Sequence, residues 1–153
     1  MPYIELSDTT KLNSKTKIMI FAEGTIFKPR YFFTWYFLRS YVPIGNAEAI
    51  IASWAKQGAE IVYCTSLKGK STKIMVNLLR KFHFGGTRLY YRNEGESYKD
   101  IAEEIKPDIL IEDDCKSIGG ENQMCITFVE PKIKQNIKSI VIKEFQGIDK
   151  VTL

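Results

Sequence analysis

The chain has 153 residues, 44% of them hydrophobic and 26% charged, the size and make-up of one folded domain with its own core. Its 22 Lys and Arg against 18 Asp and Glu leave a net charge of +4, too small an excess to mark a nucleic-acid partner by itself. No apolar run approaches the roughly 20 residues that span a bilayer, and the polar stretch from Met1 to Lys17 has no signal-peptide core. A cytoplasmic protein without a membrane anchor is expected.

Short apolar runs alternate with helical patterns along the chain, as in a parallel sheet wrapped by helices. The first strand is expected at Lys17–Phe21, running into Glu23-Gly24-Thr25. Ala47, Ile50, Ile51, Trp54 and Ala55 recur at helical spacing, and Gly58 suits the position after that helix. Glu60–Cys64 reads as the second strand. Ser71 is placed to cap a helix whose apolar face is Ile74, Met75, Leu78, Leu79 and Phe82. Arg88–Tyr91 reads as the third strand, followed by a short helix marked by Tyr98, Ile101 and Ile105 that stops before Pro107. Asp108–Ile111 is the expected fourth strand and Cys125–Val129 the fifth. Pro131 opens a helix to about Ile137, and Ser139–Ile142 forms a last edge strand. No linker or repeat interrupts 1–153, so a single domain is expected, folded as a three-layer α/β sandwich with a Rossmann-like sheet. The three cysteines, Cys64, Cys115 and Cys125, lack metal-ligand spacing and read as reduced structural thiols.

In open parallel sheets ligands bind beyond the carboxyl ends of the strands. Those ends carry Glu23, Gly24 and Thr25 after the first strand, Thr65 and Ser66 after the second, and Glu112, Asp113 and Asp114 after the fourth. Lys99 lies in the helix leading into that fourth strand. Carboxylates, hydroxyls and an ammonium together suit a phosphate and Mg²⁺: the hard cation takes oxygen ligands, and the hydroxyl and ammonium bind phosphoryl oxygens. Each also has a plainer reading, as a solvated loop carboxylate (Glu23), turn or cap chemistry (Thr65, Ser66) or a solvent-facing helical lysine (Lys99).

The order of these segments resembles the haloacid dehalogenase-like (HAD-like) superfamily. Its motifs are an apolar strand with D-x-D-G-T, a strand ending in Thr or Ser, a Lys, and a strand ending in an acidic pair. Glu23-Gly24-Thr25, Thr65, Lys99 and Ile111-Glu112-Asp113-Asp114 match them in turn, and Pro43–Ala47 resembles the segment that introduces the intervening helix. The resemblance, over residues 17 to 130, implies a HAD-like sheet with a minimal cap. It also implies a site in which Thr65, Ser66 and Lys99 bind phosphate while Glu23, Asp113 and Asp114 hold Mg²⁺. Where family members carry a nucleophilic aspartate, this chain has Phe21, or Ala22 if the register slips by one residue. Neither can attack phosphorus. Ala22→Asp would leave the spacing one residue short, and Glu23 is left as the remaining acid/base candidate.

Between the first motif and Pro43, at about 28–43, lies a short cap-like insert. Tyr31, Phe32, Phe33, Trp35, Tyr36, Phe37 and Tyr41 crowd into it, more aromatic surface than one helix face can bury. A helical segment over 30–42 is expected, as a lid, as a homodimer surface spanning 31–41, or packed within the core. Three functions follow from these readings. The first is a HAD-like domain binding a small phosphorylated molecule and Mg²⁺ with little turnover. The second is a weak Mg²⁺-dependent phosphohydrolase using Glu23 and the acidic cluster. The third is a self-associating structural protein.

Overall fold

The computed structural model describes residues 2–7 and 16–153, so most of the polar N-terminal stretch lies outside the described residues. Its strands are β1 (Tyr3–Glu5), β2 (Thr16–Phe21), β3 (Phe27–Lys28), β4 (Val42–Pro43), β5 (Ala59–Cys64), β6 (Arg88–Tyr90), β7 (Ile109–Asp113) and β8 (Lys138–Ile142). The helices are α1 (Ala47–Lys56), α2 (Thr72–Lys81), α3 (Tyr98–Ile105), α4 (Cys125–Phe128) and α5 (Pro131–Lys134). Six strands form one sheet in the order β1-β6-β5-β2-β7-β8, parallel throughout except for the antiparallel edge strand β1.

Strand alternation builds the two faces of this sheet. Ile18 and Ile20 of β2, Ile61 and Tyr63 of β5 and Ile109 and Ile111 of β7 pack with Ile51 and Trp54 of α1 and Met75 and Leu79 of α2. The intervening residues Met19, Val62, Cys64 and Leu110 point the other way, against Ile101 and Ile105 of α3 and Cys125 and Ile126 of α4. Helices on both faces of a mainly parallel sheet make the expected α/β sandwich. Burying each Ile or Leu side chain stabilises it by about 1.5–3 kcal/mol. Among the described residues no helix is long and apolar enough to cross a membrane.

Three expectations need correction. Cys125–Val129 is not a strand: Cys125–Phe128 is the helical turn α4, and the place beside β7 belongs to β8. Five residues, four of them apolar, carry too little periodicity to separate the two states. The deciding contact is long-range, since the Glu112 carboxylate accepts the backbone N–H groups of Cys125 (2.7 Å) and Ile126 (3.0 Å) at the start of that turn. Second, 30–42 holds no continuous helix. It is the loop of a hairpin formed by β3 and β4, with 3₁₀ turns at Phe32–Thr34 and Leu38–Ser40. Third, Ser71 precedes α2 without capping it, whereas the Thr72 hydroxyl donates to the Gly69 carbonyl at 2.7 Å.

Candidate functional site

The carboxyl ends of β2, β5 and β7 open into a cleft of about 1030 Å³, roofed on one side by the β3–β4 hairpin. Glu23, just beyond β2, lies across from the end of β5. Its carboxylate accepts the Thr65 hydroxyl at 2.5 Å and the Ser66 hydroxyl at 3.1 Å, with the Ser66 N–H at 3.3 Å. Thr65 is fully buried and Ser66 is exposed. Burial pushes the Glu23 carboxyl above its ordinary range, and the hydrogen bonds from Thr65 and Ser66 offset part of that rise.

Gly24 makes the next turn with φ +82°, and a Cβ there would sit 2.2 Å from the Asp113 carboxylate. Only glycine lets this loop approach so closely at that φ. Asp113 ends β7 and is buried, and its carboxylate accepts the Cys115 N–H at 2.7 Å. Beside it, Asp114 accepts the Glu144 N–H at 3.2 Å, and the Glu144 carboxylate in turn accepts the Ser117 hydroxyl and N–H. Asp113, Asp114 and Glu144 each offer an oxygen, and these oxygens lie within 4.8 Å of one another. None of the three forms an ion pair among the described residues. Burial raises the Asp113 carboxyl, and the nearby Glu144 and Asp114 charges raise it further. Hard oxygen donors crowded without a counter-charge fit a divalent cation such as Mg²⁺. Glu112 points away from them, its pKa raised by burial while the Ile126 and Cys125 N–H groups hold it down.

Phe21 faces the cleft, whereas Ala22 is in the core. The Phe21 ring stands edge-to-face on Tyr98, centroids 5.0 Å apart, and the Arg92 guanidinium lies 4.0 Å over the other aromatic ring of that pair, Tyr98. The Arg92 Nε is buried without a hydrogen-bond partner among the described residues. Lys99 is elsewhere: it lines a neighbouring hollow and pairs with Asp100 at 3.5 Å and Glu103 at 3.9 Å.

The structure thus gathers Glu23, Thr65, Ser66 and Asp113 around the mouth, with Asp114 joined to Asp113. Lys99 lies outside the cleft lining, and Glu23 lies outside the carboxylate trio. Sequence reasoning missed Arg92 and Glu144. Arg92 follows a strand by two residues, so the rule that ligands meet carboxyl strand ends could have found it. Glu144 follows the edge strand β8, and the same rule would have reached it.

No protein-family model and no curated protein sequence matches the chain. Among solved structures it is similar to a chain in "Structure of the Pnkp1/Rnl/Hen1 RNA repair complex", with TM-score 0.61 and 13% identity over 90% of this chain and 45% of that one. A chain in "Structure of Pnkp1/Rnl/Hen1 complex" gives TM-score 0.60 and 14% identity over 91% and 49%. The chain therefore spans about half the length of the chains it matches there. A D,D-heptose 1,7-bisphosphate phosphatase from Burkholderia thailandensis gives TM-score 0.48 and 13% identity over 86% and 94%. At these identities the likeness is one of fold alone.

Proposed function

We propose that the cleft binds a small phosphorylated ligand together with Mg²⁺ and turns it over slowly, if at all. The observation that carries this reading is the trio Asp113, Asp114 and Glu144, crowded and in no ion pair among the described residues, with Asp113 and Glu144 lining the same cleft as Arg92. Mg²⁺ held by the trio would offset the repulsion between these carboxylates and a phosphoryl group. The Arg92 guanidinium is oriented by its stacking on Tyr98 and retains donors for phosphoryl oxygens. Thr65 and Ser66 spend their hydroxyls on Glu23, so in this reading they hold the acid in place, and Arg92 takes the cationic role expected of Lys99. Phe21 supplies no lone pair where the HAD-like pattern has its nucleophile.

Calorimetric titration of the protein with Mg²⁺ and inorganic phosphate, alone and together, tests this. Each is expected to tighten the other's binding, and Asp113→Asn is expected to abolish the coupling. Phosphate binding that is indifferent to both Mg²⁺ and Asp113 would sink the proposal. Slow hydrolysis is the second reading, favoured by the place of Glu23 in the cleft wall, where burial favours the protonated form that a general acid needs. An assay with an aryl phosphate then yields a low Mg²⁺-dependent rate that Glu23→Gln removes. A brisk rate insensitive to Glu23→Gln would refute both readings.

A further inference from the structure

Charge is segregated along this chain in a way the net value of +4 conceals. Residues 24–47 contain no Asp or Glu, and neither do residues 61–93. The first stretch carries Lys28, Arg30 and Arg39; the second carries Lys68, Lys70, Lys73, Arg80 and Lys81 before it reaches β6. The fold brings the two stretches together, because the Leu38–Ser40 turn of the hairpin packs against α2. Their junction is a hollow of about 570 Å³ lined by Arg39, Lys70, Lys73 and Lys81, with no carboxylate of the described residues in its wall. None of these four cations forms an ion pair among the described residues.

Next to this basic hollow stand the exposed rings of the hairpin. Phe32 is 90% exposed and Trp35 67%, and Tyr31, Phe33, Tyr36 and Phe37 are exposed with them. Tyr31 and Phe33 stack face to face with centroids 5.5 Å apart. Phe32 and Trp35 also line the cleft, while Arg39 of the same hairpin lines the basic hollow, so one hairpin borders both.

We propose that this surface binds single-stranded nucleic acid. The backbone lies along the α2 hollow, bases stack on the hairpin rings, and a terminal phosphate enters the cleft. Unpaired bases expose π-faces that aromatic side chains cover without regard to sequence, and a cationic groove beside them tracks the phosphates. The acidic trio makes the cleft the end of the track: internal phosphodiesters are repelled there, and a terminal phosphate enters only with its cation. A bilayer suits the arrangement less well, since the four cations line the wall of a concavity and do not share one plane with the rings, as a flat headgroup surface would require. Entry of the terminal phosphate rests on the function proposed above; the track itself does not.

The test uses oligothymidylates of about twelve nucleotides, labelled at one end, with phosphate or hydroxyl at the other, in both polarities and with Mg²⁺. Fluorescence anisotropy reads binding, and Trp35 emission reads contact with the hairpin, Trp54 being only 8% exposed. Binding is expected to weaken about ten-fold in Phe32→Ala and in Trp35→Ala. The double variant Lys73→Glu, Lys81→Glu is expected to weaken binding and to lower the salt slope by about two. All these side chains are exposed, so unchanged thermal melting confirms that the variants are folded. Equal binding of phosphate- and hydroxyl-ended strands would keep the track and remove the terminal phosphate from the cleft. Binding of Mg²⁺ with inorganic phosphate but of no oligonucleotide would leave the cleft function standing and overturn the track. The track is likewise overturned if phosphatidylserine vesicles shift Trp35 emission while oligonucleotides do not. A dimer that buries the hairpin and excludes the strand overturns it too.

Discussion

The strand ends hold carboxylates of two kinds, and the contrast between them separates structure from site. Glu112 spends its oxygens on two backbone N–H groups of α4, and Glu23 spends its own on Thr65 and Ser66. Both are satisfied by donors belonging to the fold. Asp113, Asp114 and Glu144 also accept hydrogen bonds, one N–H at Asp113, two at Asp114 and the Ser117 N–H and hydroxyl at Glu144, but they face one another. A carboxylate facing donors strengthens the fold, whereas one facing other carboxylates weakens it until a cation arrives. In this cleft the acidic residues nearest in sequence, Glu112 and Asp113, therefore have opposite parts to play.

The largest way to break that contrast is Glu112→Ala. It strands the buried Cys125 and Ile126 N–H groups, each costing roughly 1–3 kcal/mol, so a loss of about 2–6 kcal/mol is expected in urea unfolding. Mg²⁺ affinity should stay near that of the parent. If stability is unchanged, the carboxylate is not holding α4. Next is Gly24→Ala. The positive φ and the approach to Asp113 together cost roughly 1–3 kcal/mol, and the added methyl displaces the Asp113 carboxylate. Here Mg²⁺ binding should weaken along with stability, unlike Glu112→Ala, and a fold-only effect would show that Asp113 is not a ligand.

A third change acts on the trio alone. Asp114→Asn removes one of three like charges from a half-buried group, so the metal-free protein should melt no lower than the parent. Its Mg²⁺ affinity should fall at least about ten-fold, equivalent to about 1.4 kcal/mol. Glu144→Gln should behave the same way. Lower stability without Mg²⁺ would mean that the trio's hydrogen bonds outweigh its repulsion.

Most of the sheet was legible because its signals are local and repeated. The apolar alternation at Ile18–Ile20 and Ile61–Tyr63 and the helical spacing of Ile51 and Trp54 need no partner to be read. What escaped was set by contacts distant in sequence. Cys125–Phe128 has the composition of a strand, and Glu112, 13 residues away, makes it helical. The edge strand β1 pairs with β6 across more than 80 residues, and three residues give no period. At the cleft, the placement of Glu23, Thr65 and Asp113 near the strand ends was legible because strand ends are countable positions. Lys99 fitted a motif order, but its helical neighbours Asp100 and Glu103 pair with it. Arg92 carries no motif signal, and its stacking on Tyr98 exists only in the folded chain.

The smallest expected effect is the pH dependence of folding, and its sign follows from the same contrast. Burial raises Glu23 and Glu112 from their ordinary value of 4.5, and burial with like charges raises Asp113 from 3.8. Below those ordinary values the groups are protonated whether the chain is folded or not, and they add no pH dependence. Above them the unfolded chain releases protons that the native state still holds, so stability falls as pH rises until the folded groups ionise as well. Thermal melts should thus drift downward as pH rises above about 4–5, with the contributions of other groups superimposed. Mg²⁺ should flatten the part of that drift due to Asp113, because a bound cation favours its charged form. It should change the part due to Glu112 less, since burial is the main cause there and the Asp113 charge the smallest. Comparing the drift with and without Mg²⁺ in Glu112→Gln and Asp113→Asn separates the two. If Mg²⁺ changes the drift equally in both variants, its effect does not run through the trio, and Asp113 and Glu112 do not differ in the way their contacts require.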